Sequence, residues 1–366
     1  DIMPSLVGSE MCIRDSDKPV YYDGDRVAED LDNTGYYAGL LGGFFYDVGW
    51  YFIYPGDFIR GWDLSGGYLS IFYDFYGHGT SCAGSIASRG RELYYIPGYG
   101  FKTLPGIAPK AKVVGIKALW YGNTELSMLW AAGFDEKISE NGIKMVYSGS
   151  KRADIISNSW GISYQWYDYY AFGYDMESML INGLSVPGFL DPSFSVIIIV
   201  QAAGNGGFGY GTVTAPGAAS FAITVGASTA THFYSFAGYS AKASVDDVIS
   251  WSARGPSPLG EIKPDVVNVG LGCWDIAPMV IGWYDIFSGT SLATPLTAGT
   301  LALMLEASNK MLTPPQAKTL LMSTAKDISY NGLVQGAGRV DSYAAVVATK
   351  RLSNLNTCLL YTSDAA

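Results

Sequence analysis

With 366 residues, 49% of them hydrophobic and 15% charged, the chain can bury a sizeable core and is excluded from the disordered class. A formal net charge of −10 argues against nucleic acid and anionic membrane surfaces as partners. The 27 tyrosines and 45 glycines against only 23 lysines and arginines suit a neutral polar surface of the extracellular kind.

The two ends read differently from the rest. Residues 4–16 and 358–366 resemble translated sequencing-adaptor readthrough, which would set 1–16 and 357–366 apart from one domain over 17–350. That reading removes Cys12 and Cys358 from the cysteine arithmetic. The remaining Cys82 and Cys273 do not make a disulfide framework. Residues 20–75 are rich in glycine and aromatic residues, and Phe44-Phe45-Tyr46 and 68–73 read as strands or hairpins. A small-residue helix then starts at Gly77-His78-Gly79-Thr80 and stops near Arg89-Gly90.

Val113-Val114-Gly115-Ile116 reads as a buried strand. The spacing of Leu126, Leu129, Trp130, Phe134 and Ile138 predicts a helix ending at Asn141-Gly142. Strands follow at 154–161, 195–200 and 221–226, with a helix at 175–184 between the first two and another at 315–324 near the end. Alternating strands and helices with short apolar runs predict an α/β fold: a mostly parallel sheet covered by helices on both faces. No repeat and no linker breaks it, so a single domain is favoured. The apolar run 292–305 is too short to cross a membrane and is interrupted by Pro295, Thr297, Gly299 and Thr300.

That run begins at Phe287-Ser288-Gly289-Thr290-Ser291-Leu292-Ala293-Thr294-Pro295. A proline is tolerated in a first helical turn, which puts Ser291 at a helix N-terminus. Free N–H groups there favour developing negative charge, as a nucleophile needs. A buried packing helix with a small-residue start fits the same nonapeptide equally well. The chain has only two histidines to serve as a base. His232, in Thr231-His232-Phe233-Tyr234, reads as a structural residue. His78, between two glycines at a helix start, does not.

Gly77-His78-Gly79-Thr80 with Ala83-Gly84 resembles the histidine motif of the subtilisin-like serine proteases, and 288–295 resembles that family's serine motif. Ala202-Ala203-Gly204-Asn205 resembles its oxyanion-hole loop. Gly106-Ile107-Ala108-Pro109, 157–161, 216–227, 250–269 and Gly336-Ala337-Gly338-Arg339-Val340 extend the likeness in order over about 70–348. The resemblance implies a three-layer α/β fold in which Ser291 attacks the scissile carbonyl and His78 carries the proton. Asn205 would donate to the oxyanion. Ser159, Trp160 and Gly161 would pair with an extended peptide, and Ala203 and Gly204 would help to line the first specificity pocket. Rival families fit worse. An α/β-hydrolase needs a histidine after its nucleophile, and none follows Ser291. The sedolisin relatives carry a glutamate where this chain has His78 and an aspartate where it has Asn205.

The family's third triad residue is an aspartate ending a buried strand before the histidine. The nearest stretch is Asp32-Asn33-Thr34-Gly35, but Glu29-Asp30 stand where that strand should be, and Asp32 reads better as a turn residue. The expectation is therefore that the aspartate and its strand lay upstream and that the sheet has lost an inner strand. Asp74 is too close to His78 for the part and is expected to brace the helix start. Cys82 falls beside the histidine as a small packing residue. The 157–161 and 203–207 segments hold no acidic side chain, so an apolar or aromatic preference is expected over a basic one. No cofactor is implied. A structural calcium is known in several relatives, but no ligand-spaced acidic cluster assigns one here. The expected activity is that of a secreted or cell-surface endopeptidase acting on polypeptides, without nucleic acid or a membrane span. The rival is a non-catalytic module of the same fold that binds extended peptides.

Overall fold

The computed structural model describes residues 10–14, 28–29, 50–53, 77–116, 123–139, 142–149, 152–162, 173–229, 246–277 and 282–363. In chain order the strands and first helix are β1 (Glu10–Arg14), β2 (Ala28–Glu29), β3 (Trp50–Ile53), α1 (His78–Ala87), β4 (Tyr94–Ile96), β5 (Gly100–Lys102) and β6 (Lys112–Ile116). Next come α2 (Asn123–Ala131), β7 (Phe134–Ser139), β8 (Gly142–Tyr147), β9 (Ile155–Asn158), α3 (Met176–Leu184), β10 (Ile198–Ala202), β11 (Ile223–Ser228) and β12 (Val266–Val269). The chain continues through β13 (Cys273–Ile276), β14 (Tyr284–Phe287), α4 (Thr290–Ala307), α5 (Pro314–Ser323), α6 (Gly332–Gln335) and α7 (Ser342–Ser363).

The central sheet runs β12-β11-β10-β9-β1-β6-β3-β2. Neighbours β9, β10, β11 and β12 are parallel, as are β3 and β6. Burial in β9, β10 and β11 is continuous rather than alternating, the signature of strands covered on both faces. Successive residues divide between the two sides. Ile155, Ile198, Val200 and Val225 join the core under α1, α4, α5 and α7, while Ile156, Ile197 and Ile199 join the core under α2 and α3. This is the three-layer α/β arrangement expected.

Three local differences from the sequence reading have physical reasons. The helix expected to run on to Asn141 ends at Ala131, and Phe134 and Ile138 belong to the β7–β8 hairpin instead. Gly133 turns the chain with φ +96, and Phe134 is buried against Tyr147 and Phe194, so packing overrides the helical spacing. Second, Glu10–Arg14, set apart from the domain on sequence, forms β1 between β6 and β9 and runs antiparallel to both. It satisfies two facing backbone edges, so the open edge expected from a lost inner strand is not present there. Third, Pro295 lies inside α4 rather than in its first turn. The stretches 44–46 and 68–73, with Asp32, Asp74 and His232, lie outside the described residues.

Away from the site, β11 and β12 are joined by a buried ion network. Lys263 Nζ lies 3.0 Å from Asp265 Oδ2 and donates also to Thr224 Oγ1 and to the carbonyls of Ala219 and Ala222. Lys318 closes on the other carboxylate oxygen at 2.9 Å. Burial pushes the Lys263 amine down to about 8, against the pull of Asp265. Among the described residues, no helix is long and apolar enough to cross a membrane.

Candidate active site

Two helix N-termini, α1 and α4, carry the residues picked out by sequence, and each follows a glycine with positive φ. Gly77 caps α1 at φ 80 without any side-chain cap, and His78 is the first helical residue. Gly289 caps α4 at φ 135, a backbone no L side chain adopts without strain, and Ser291 follows in the first turn. The chain reaches Ser291 along β14, whose last residue, Phe287, sets its ring edge-on to His78 at 5.4 Å between centroids. The side chain of Thr290 is buried, as is that of Ser291 at 9% exposure, while His78 is half-buried and Asn205 exposed.

The first turn of α4 is fastened from three directions. Thr290 donates to Asn205 Oδ1 from both its N–H and its hydroxyl, at 2.9 Å each. With its oxygen held twice, Asn205 turns its amide nitrogen toward Gly289 and Ser291: a methyl group built on Gly289 would lie 3.5 Å from Asn205 Nδ2. Leu292 and Ala293 send their N–H groups to the Gly289 carbonyl. The Ser291 N–H has no acceptor among the described residues. A free backbone N–H at a helix N-terminus beside a side-chain amide is a pair of donors suited to a developing oxyanion.

Pro295 explains the other side of Ser291. Having no N–H, it leaves the Ser291 carbonyl without its helical donor. Ser159 Oγ takes that carbonyl at 3.0 Å and Cys82 Sγ approaches it at 3.6 Å. Ser291 Oγ in turn donates to the Ser159 carbonyl at 3.0 Å. The serine therefore rests on Ser159, and attack requires its hydroxyl to rotate toward the histidine. Cys82, one turn along α1 from His78, also lies 3.8 Å from His78 Nδ1, so its sulfur links the two helices. The packing role expected of Cys82 thus includes contact with both candidate catalytic residues.

Ser159, Trp160 and Gly161 follow directly on β9, with Ser159 buried, Trp160 half-buried and Gly161 exposed. Gly204 lies at φ 109 beside Asn205, half-buried. Ala203 is fully buried; its N–H donates to the Val225 carbonyl and its carbonyl accepts from Thr214, so it supports the loop rather than facing a cleft. Behind α1 sits a group that the sequence reading passed over. Asp275, on β13, is fully buried, accepts from Ser85 Oγ through one carboxylate oxygen and from the Ile276 N–H, at 2.8 Å, through the other. Burial pushes its carboxyl up to about 7 and, with Asp275 adding to the effect, pushes the Cys273 thiol up to about 12. Ser85 is two helical turns, about 10 Å, beyond His78, so Asp275 braces the helix instead of orienting the imidazole. A carboxylate within the apolar run that precedes the serine motif was the available signal. Among the described residues, no group of three or more His, Cys, Asp or Glu side chains could hold a metal ion.

A serine at a glycine-capped helix N-terminus, an amide beside its N–H and a histidine on the adjoining helix define a serine-hydrolase site on a doubly covered α/β sheet. Residues 55–340 match the model of the subtilase family, peptidase S8, and the chain belongs to that family. It is 30% identical to pyrolysin of Pyrococcus furiosus over 325 residues, covering 76% of this chain and 22% of pyrolysin. It is also 30% identical to the serine protease AprX of Bacillus subtilis over 294 residues, covering 75% of this chain and 58% of AprX. The chain thus spans from about a fifth to just over half of these relatives. A solved structure of proteases from Pseudoalteromonas arctica aligns with a TM-score of 0.49 at 23% identity, covering 74% of this chain and 70% of that one.

Proposed function

We propose that the chain is a serine endopeptidase that hydrolyses peptide bonds in proteins through an acyl-enzyme on Ser291. The observation that carries this reading is the unclaimed Ser291 N–H beside an Asn205 amide whose oxygen is held by Thr290. In the proposed sequence of steps, His78 takes the Ser291 proton as Oγ leaves Ser159 and attacks the carbonyl carbon. The oxyanion forms between Ser291 N–H and Asn205 Nδ2. His78 then protonates the leaving amine, and water releases the acyl group by the reverse route. Serine protease membership of the family supports polypeptide substrates.

The acyl side of the substrate is assigned to the 159–161 segment, with Gly204 beside it, and no acidic side chain there would favour lysine or arginine. An apolar or aromatic preference and a secreted or cell-surface location complete the reading. The orienting aspartate is assigned to the chain before His78. A second reading, a non-catalytic module that binds extended peptides, draws on the Ser291–Ser159 bond, which holds the hydroxyl away from the histidine. Digestion of a peptide library with mass-spectrometric readout separates the two. Cleavage after apolar residues that disappears in Ser291→Ala supports the peptidase. Binding without cleavage by the parent protein supports the module, and strong selection of lysine or arginine overturns the specificity.

A further inference from the structure

Between α1 and the segment that returns to pack on it, the chain makes an excursion built on the β4–β5 hairpin. The return is fixed by Gly106 N–H to Ser88 carbonyl, Ile107 to Ser85 and Ala108 to Ile86, so the hairpin stands out from a firmly held base. Its inner face is core, with Tyr94 and Ile96 buried. Its outer face is also apolar. Tyr95 and Phe101 are cross-strand partners with rings 5.5 Å apart, and they are 58% and 68% exposed; Leu93 and Tyr99 beside them are 66% and 64% exposed. A strand pair with one solvated face ordinarily alternates apolar and polar residues. Here both faces are apolar, and a contiguous exposed apolar patch of this kind marks an interaction surface.

The patch is continuous with the candidate active site. The Tyr284 hydroxyl, on β14, donates to the Tyr95 carbonyl at 2.5 Å, and the Tyr284 ring packs edge-on to Tyr94. From Tyr284, β14 runs three residues, about 10 Å, to Phe287, which contacts His78. The acyl part of a substrate lies along 159–161 on the far side of Ser291, and the leaving amine departs past the group that protonates it, His78. A chain leaving past His78 meets Phe287, β14 and then the hairpin.

Resting on the peptidase reading above, we propose that the outer face of β4–β5 binds the leaving-group side of polypeptide substrates through their large apolar and aromatic residues, beginning about four residues beyond the scissile bond. Short substrates end before reaching it, so the surface selects long, unfolded, apolar stretches and leaves the chemistry at Ser291 untouched. Tyr95 and Phe101 are the anchors, and Tyr99 extends the surface at the turn.

The test measures fluorescence anisotropy of peptides of about ten residues on Ser291→Ala protein, in which nothing is cleaved. One peptide carries leucine, phenylalanine and tyrosine far out on the leaving-group side and the other carries serine and glycine there. The apolar peptide is expected to bind about tenfold more tightly, and the advantage should vanish when Tyr95→Ser and Phe101→Ser are added. Tyr99→Ser, at an exposed turn where no fold is at stake, should remove part of it. An advantage that survives all three substitutions, or no advantage at all, overturns the proposal. So does sedimentation showing that the substitutions convert a dimer to a monomer, since a second copy would then cover the patch. Fluorophosphonate capture by the parent protein is read separately. Its failure counts against the peptidase reading, while the peptide series still decides the patch.

Discussion

The two helices that carry the candidate site are held by different means. The start of α4 is bonded to elements far away in sequence: Thr290 to Asn205, Gly289 to Gly270, Ser291 to Ser159. The start of α1 has a bare glycine cap, and its fixed contacts lie further along, where Ser81 donates to the Ile276 carbonyl at 3.0 Å and Ser85 meets Asp275. The nucleophile is thus fastened at its own turn, whereas the base rides on a helix fastened behind it. A subtilase can keep the serine and oxyanion donors fixed while the histidine retains freedom to receive and return a proton.

The largest expected effect is on the α4 side. Ser291→Ala should lower turnover by on the order of 10⁵–10⁶-fold with the unfolding temperature nearly unchanged, measured on a peptide substrate and by calorimetry. Asn205→Ala comes next, with a loss of about 10²–10³ in kcat and little change in KM. A larger change in KM than in kcat would instead place Asn205 in ground-state binding and weaken the contrast.

On the α1 side the effects should appear in stability and its pH dependence. In the unfolded chain the Asp275 carboxyl titrates near 3.8; folded, it titrates near about 7. Between those values the folded protein keeps a proton that the unfolded chain has released, so stability is fullest below 3.8 and is lost as pH rises through about 7. The loss should be on the order of 2–3 kcal/mol. Asp275→Asn should flatten that slope in denaturant titrations at several pH values, and an unchanged slope would remove Asp275 as its source. Gly84→Ala should be the smallest of these. A methyl group there would lie 2.4 Å from both Asp275 Oδ1 and Ile276 Cγ1, so β13 must shift, at a cost of about 1–3 kcal/mol in chemical unfolding.

Much of this contrast could be read in the sequence, and the reasons differ by element. The α4 start was legible because glycine, serine and proline each carry a backbone consequence that does not depend on distant residues. Even so, placing Pro295 in the first turn missed what it does: by lying deeper, it frees the Ser291 carbonyl for Ser159 and Cys82. The close packing of α1 was foreseen from its small residues, but not its partner, because nothing local marks Asp275 as the carboxylate that meets Ser85. The β7–β8 hairpin was misread because the spacing of Phe134 and Ile138 suits a helix as well as a strand, and only the packing of Phe134 against Tyr147 and Phe194 decides. β1 could not be foreseen at all, since its pairing is set by the backbone edges of β6 and β9.

The most direct test of the account is covalent. The full protein is treated with a fluorophosphonate, digested and mapped by mass spectrometry, alongside Ser291→Ala and His78→Ala. The account requires the adduct on Ser291 in the parent, none in Ser291→Ala and a sharply slower reaction in His78→Ala. An adduct of equal yield in Ser291→Ala, or one mapped to another serine, would contradict it.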